Sequence, residues 1–225
     1  MDETCELLDL RKGAYGEVAL RRRGDRFEII ANGCFLMDTS DGRSERLLVR
    51  AALDAAAQPE GARLLIGGLG VGFSLAQAAA DPRPGAIVVV ERERAVIDWH
   101  VGQDAPLRRF AGDGHTDPRT RIVHQDLAEH LRGSRAAYDV LCLDVDNGPG
   151  WTVTEDNDDL YGARGIAAMA GALSAHGVLA VWSASRAEGF KQRLSPHFSR
   201  VETLEVPVLG RGEPDLIYLA TRAVT

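Results

Sequence analysis

Four closely spaced glycines, Gly67, Gly68, Gly70 and Gly72, separate an apolar run from a helix-forming one in the stretch LLIGGLGVGFSLAQAAA. Glycines at such a junction let the backbone turn tightly and come close to a ligand, whose polar end meets the positive end of the following helix. A strand-to-helix turn without a ligand uses glycine as readily, so the loop alone is a weak signal. Glu91 strengthens it. It ends the next apolar run, AIVVVE, about twenty positions on, where a carboxylate accepts hydrogen bonds from both hydroxyls of a ribose. Loop and acid together point to an adenosine-bearing cofactor without separating a dinucleotide from an S-adenosyl compound. A solvated charge at a strand end is the plainer reading of Glu91.

Two further acids follow strand-like runs: Asp126 in VHQDLAEHL and Asp144 in LCLDVDNGPGW. Acids at three successive strand ends fall on the edge of an α/β sheet where ligands bind. Asp126 serves equally well as the N-cap of the helix after it. Asp144 and Asp146 are the candidate bases, since a carboxylate orients an amine and takes its proton; a solvated loop position explains Asp146 as well. In PGWTVTEDNDDLYG, Trp151 is the candidate substrate contact. Glu155, Asp156, Asp158 and Asp159 read either as a lid that attracts a cation or as a solvated start to the next helix. The six histidines show no spacing that clasps a metal from one helix face, so no metal site is expected. Trp99 and Trp182 read as packing at the core edge.

These residues need a scaffold that brings strand ends together. From Ala62 onward, apolar runs (ARLLIG, AIVVVE, TRIVHQ, YDVLCLD, GVLAVWS) alternate with helical segments, as a parallel sheet buried on both faces requires. The fold class is therefore α/β, a doubly wound Rossmann-like sheet. RVETLEVPV and DLIYLAT read as a terminal antiparallel pair, and residues 101–119 as a surface excursion. Ahead of the sheet, residues 43–57 space Leu47, Leu48, Ala51, Ala52 and Ala55 as one helix face. Tyr15 to Asp38 reads as two or three short strands with turns at Gly24-Asp25 and Asn32-Gly33. Residues 1–42 are thus a small β-subdomain and 43–225 the cofactor-binding domain.

The chain has 225 residues, 45% of them hydrophobic, enough to bury one sizeable core. A net charge of −7 argues against nucleic acid, whose binding rests on lysine and arginine, and favours cationic small molecules. Cys5, Cys34 and Cys142 are too scattered for a disulfide framework or a thiolate zinc site, which suits a reducing cytoplasm. No apolar run of signal-peptide length opens the chain, and none approaches the ~18 residues of a membrane span, so no membrane partner is expected.

The order of these motifs resembles the spermidine synthase family, the polyamine aminopropyltransferases of the class I S-adenosylmethionine-dependent methyltransferase fold. The resemblance runs from about Tyr15 to the C-terminus. VVVERERAVIDWH is similar to that family's VExDPxVxxxxR, HQDLAEHL to GDAxxFL, and YDVLCLDVDNGP to YDVIIxDxxDPxGP, while Leu160-Tyr161 sits at its Leu-Tyr pair. The resemblance implies that Glu91 holds the ribose, Asp126 the adenine amino group and the loop Gly67 to Gly72 the methionine-derived tail. Asp144 would then face the sulfonium; Tyr161 joins Trp151 as a candidate substrate contact. It also implies a homodimer.

The chain departs from the family at the acceptor side. Gly70 stands where the family has an aspartate facing the amines, Glu45, Arg46 and Leu47 align with its Tyr-His/Gln-Glu cluster, and Leu36 replaces a glutamine. Removing a carboxylate beside the donor tail relieves repulsion against the carboxylate of S-adenosylmethionine. The sequence-based expectation is therefore methyl transfer from S-adenosylmethionine to a small, amine-bearing acceptor. Aminopropyl transfer from decarboxylated S-adenosylmethionine and non-catalytic cofactor binding are the alternatives. An NAD-dependent oxidoreductase fits less well, because no hydride-handling residue is evident.

Overall fold

The computed structural model describes residues 4–102, 104–151, 158–208 and 212–222. Four antiparallel strands open the chain: β1 (Cys5–Gly13), β2 (Gly16–Arg23), β3 (Arg26–Ala31) and β4 (Cys34–Asp38), paired in sequence order. The Asn32-Gly33 turn joins β3 to β4 with both residues at positive φ, 51° and 79°, as a tight hairpin demands. Asn32 also braces the start of β2: its Oδ1 accepts from the Glu17 amide and its Nδ2 donates to the Tyr15 carbonyl. Strand β1 was not anticipated. Leu7, Leu8 and Leu10 are all exposed, so neither face of the strand is buried and no apolar alternation marks it in the sequence.

Helix α1 (Arg43–Ala55) leads into a seven-stranded sheet. Its strands are β5 (Ala62–Gly67), β6 (Pro84–Glu91), β7 (Thr120–His124), β8 (Tyr138–Leu143), β9 (Leu173–Ser183), β10 (Arg200–Val206) and β11 (Asp215–Thr221). The spatial order is β10-β11-β9-β8-β5-β6-β7, with β5 to β9 all parallel and β11 antiparallel to both β9 and β10. Alternate residues of each strand feed opposite faces. Leu64 and Ile66 pack with Leu48 of α1, Leu75 of α2 (Phe73–Ala80) and Val96 of α3 (Arg94–His100). Leu65 packs instead with Leu131 of α4 (Leu127–Gly133), Met169 of α6 (Ala163–Ala172) and Phe190 of α7 (Phe190–Leu194). Helices cover both faces, which is the doubly wound arrangement expected.

Two elements differ from the sequence reading. The helix expected around 160–174 is interrupted at Gly162, leaving α5 (Asp158–Tyr161) ahead of α6. Residues 101–119 are not a simple surface excursion, because Leu107 and Ala111 are fully buried. A short 3-10 turn at Arg108–Ala111 sets Phe110 edge-on to Phe73 of α2. Apolar residues at 107, 110 and 111, scattered among charges, make one inward face too short for a periodic signal.

The sheet order reverses at β5, whose neighbours are β6 on one side and β8 on the other. The loops after β5 and β8 consequently part, and a crevice opens beyond the carboxyl ends of the strands.

Candidate functional site

A cavity of about 510 Å³ fills that crevice, and residues of β2, β3 and β4 form its roof. One half lies over β6 and β7, where Glu91 and Asp126 sit; the other lies over β8, β9 and β11, where Asp144, Trp182 and Asp215 sit.

In the first half, Glu91 is buried and ties the glycine loop to the end of β6. Its Oε2 accepts from the Leu69 amide at 2.9 Å and its Oε1 from the Glu93 amide at 2.7 Å. Burial pushes its carboxyl up from the usual range, opposed by those two N–H bonds. Gly68 and Gly70 form cavity wall. Gly68 has φ +89°, and a Cβ on it would lie 2.2 Å from the Asp144 carbonyl oxygen; Gly70 has φ +49°, and its Cβ would lie 2.4 Å from Met37 Sδ. The obstacle at Gly68 is backbone and at Gly70 the end of a flexible side chain. Gly67 and Gly72 lie behind the cavity wall: a Cβ on Gly67 would strike Leu127, and one on Gly72 would strike Ala111 and His100. His100, fully buried and held down to about 4 by burial, is neutral near pH 7. Its Nε2 donates to the Gly70 carbonyl at 2.9 Å, a clamp that no spacing of the histidines announces.

Asp126 caps α4, its Oδ1 accepting from the Glu129 amide at 2.8 Å, and the residue also belongs to the cavity lining.

The second half gathers three carboxylates. Asp144, at the end of β8, accepts from Ser74 Oγ of α2 at 2.8 Å. Glu45, buried on α1, lies 2.9 Å from Ser44 Oγ, which is also 2.8 Å from Asp215 Oδ2 at the start of β11. Burial first, then the charge of Asp144, raises the Glu45 carboxyl; burial first, then Asp215, raises that of Asp144, with Ser74 opposing. Groups so placed hold a proton well above the ordinary carboxylate range. Asp146 lines the cavity at φ +61°, its Oδ1 accepting from the Asn147 amide at 3.1 Å.

Trp151 stands at the cavity wall and is 58% exposed. Tyr161 is misplaced as a substrate contact: it is buried in the second core cluster, its hydroxyl donates to the Val145 carbonyl at 2.9 Å, and Leu160 lines the cavity instead. Trp182, read as packing, is part of the cavity wall. Glu155 and Asp156 lie outside the described residues. Asp215 and Ser74 escaped the sequence reading. The acid that opens DLIYLAT and a serine just past the glycine loop were the available signals.

No family model and no curated sequence matches the chain. Its fold is that of spermidine synthases, a Rossmann-like sheet behind a small β-sheet. One similar structure is a spermidine synthase in complex with the transition-state analogue AdoDATO (TM-score 0.80, 17% identity, covering 98% of this chain and 75% of that one). Another is the spermidine synthase from Thermotoga maritima (TM-score 0.77, 16% identity, covering 98% of this chain and 74% of that one). These neighbours overturn the expectation of methyl transfer, which rested on a dismantled polyamine side. The physical reason is visible in the cavity: where Gly70 lacks an acid, α1 and β11 bring two others, Glu45 and Asp215, into the lining.

Proposed function

We propose that the chain is an aminopropyltransferase that uses decarboxylated S-adenosylmethionine and an amine acceptor. One observation carries this reading: among the described residues lining the cavity, ten are aspartate or glutamate and one, Arg92, is basic. Donor sulfonium, donor amine and acceptor amine are all cations, and a cavity of this charge offsets their mutual repulsion. The spermidine synthase fold, extending over 98% of the chain, supports the same reading.

In this reading Glu91 holds the ribose, the free side of Asp126 the adenine amino group, and the loop at Gly68 and Gly70 the donor tail. The acceptor must attack as a neutral amine. Asp144, with Glu45 and Asp215 beside it, takes the ammonium proton. The donor supplies an activated carbon next to sulfur: a nitrogen–carbon bond forms as the carbon–sulfur bond breaks, and sulfur keeps the electron pair as methylthioadenosine leaves. The protein's share is alignment of the two partners and removal of the proton. A homodimer in a reducing cytoplasm belongs to the same reading.

Calorimetric titration with decarboxylated S-adenosylmethionine, S-adenosylmethionine and methylthioadenosine tests the donor assignment. Tighter binding of the decarboxylated donor is the expected result. A preference for S-adenosylmethionine would contradict it, and binding of none would remove the adenosine site altogether.

A further inference from the structure

Gly68, Gly70 and Gly72 all have positive φ and carry no side chain, so what fixes the glycine loop must come from outside it. Two buried groups do this, at neighbouring residues. Glu91 takes the Leu69 amide, and His100, the last residue of α3, gives its Nε2 proton to the Gly70 carbonyl at 2.9 Å. The imidazole lies behind the loop, since His100 is fully buried and a Cβ on Gly72 would stand 2.9 Å from its Cε1. Its Nδ1 has no hydrogen-bond partner among the described residues, and a buried nitrogen left so costs about 1–3 kcal/mol. An apolar side chain would fill the same space without that cost, so the bond to Gly70 is what the histidine contributes. Helix α3 is fixed in turn to the sheet that roofs the cavity: Trp99 Nε1 donates to Asp9 at 2.9 Å, and Arg11 of β1 donates to Asp98 at 2.7 Å. One helix thus holds the loop below the cavity and the sheet above it.

We infer that His100 is a positioning residue for the donor, holding through the Gly70 carbonyl the stretch of loop that the donor tail meets. It touches no ligand itself. Because Gly70 offers the tail only backbone, a shift of that backbone changes every contact it makes there. This inference rests on the transfer reading above, which places the tail at Gly68 and Gly70.

The test is calorimetric titration of the full chain with decarboxylated S-adenosylmethionine and with methylthioadenosine, which shares the nucleoside but lacks the aminopropyl tail. His100→Leu should bind the decarboxylated donor about tenfold more weakly, the effect of one lost hydrogen bond, and methylthioadenosine within about threefold of the parent. His100→Gln, whose amide can donate to the same carbonyl, should restore the donor's affinity. Equal weakening of both ligands, unchanged donor affinity in His100→Leu, or a Gln variant no better than the Leu one overturns the proposal. Should the Leu variant not fold, nitrogen NMR of the parent decides. His100 should then be the Nε2–H tautomer, its resonance moved by the decarboxylated donor more than by methylthioadenosine; the Nδ1–H tautomer, or a resonance indifferent to the donor, overturns the role. A parent that binds neither ligand overturns both readings. Release of methylthioadenosine from the donor with an amine present reports on the reaction itself: its absence beside a tail-selective loss in His100→Leu would remove the reaction and leave the positioning role standing.

Discussion

Ser44 Oγ lies within hydrogen-bond distance of two carboxylates at once, Glu45 at 2.9 Å and Asp215 at 2.8 Å, the second from 171 residues further along the chain. A hydroxyl has one hydrogen to give. It can serve only one of them fully at a time, and burial, which raises the Glu45 carboxyl, favours the protonated form of that acid.

Glu45 makes stability fall as pH rises. Its carboxyl is raised in the folded state, so above the ordinary carboxylate range the folded protein binds more protons than the unfolded chain, and stability is lost as pH climbs through the raised value. Glu45→Gln removes this dependence. Relative to the parent, its melting temperature should be about 5 °C higher at pH ~9 than at pH ~5, as a difference of about 2 kcal/mol gives in a chain of this size. Thermal melts across that range check it; parallel curves would show that Glu45 titrates normally.

Ser74 holds the Asp144 carboxyl down against its burial. Ser74→Ala should let it rise further and move the acidic limb of the kcat/KM profile up by about one unit, the effect of one lost hydrogen bond to a charged group. An unmoved limb would place the ionisation that governs turnover elsewhere.

Two glycines of the loop should differ in tolerance. A methyl at Gly68 meets the backbone oxygen of Asp144, which cannot step aside, whereas one at Gly70 meets the flexible end of Met37. Both positions have positive φ, so each alanine carries strain of about 1–3 kcal/mol. Gly68→Ala should be the more damaging, and Met37→Ala should recover part of the loss in Gly70→Ala but none in Gly68→Ala. Denaturant unfolding of the four variants decides this.

Asp126 allows its cap and its proposed ligand role to be separated. Asn caps helices as well as Asp, so Asp126→Asn should keep stability and weaken nucleoside binding, while Asp126→Ala should lose about 1 kcal/mol as well. Equal nucleoside affinity in the parent and Asp126→Asn would leave the residue a cap only.

The central sheet was legible because strands β5, β6, β8 and β9 are largely buried and write themselves as apolar runs, ending at the edge where Glu91 and Asp144 stand. The acceptor side was not. Glu45 sits on a helix face that looked ordinary, Asp215 opens the last strand, and Ser44 joins them only once α1 packs beside β11. A substitution at Gly70 was therefore read as loss of charge, when the charge comes from elements distant in sequence. Tyr161 was misjudged for a related reason: adjacent helical positions point apart, and Leu160 took the cavity side.

The most direct measurement is the mass of the acceptor after incubation with decarboxylated S-adenosylmethionine and a panel of amines. Aminopropyl transfer predicts an acceptor heavier by one aminopropyl group, formed in step with equimolar methylthioadenosine. An unmodified acceptor with no methylthioadenosine released, across the whole panel, would contradict it.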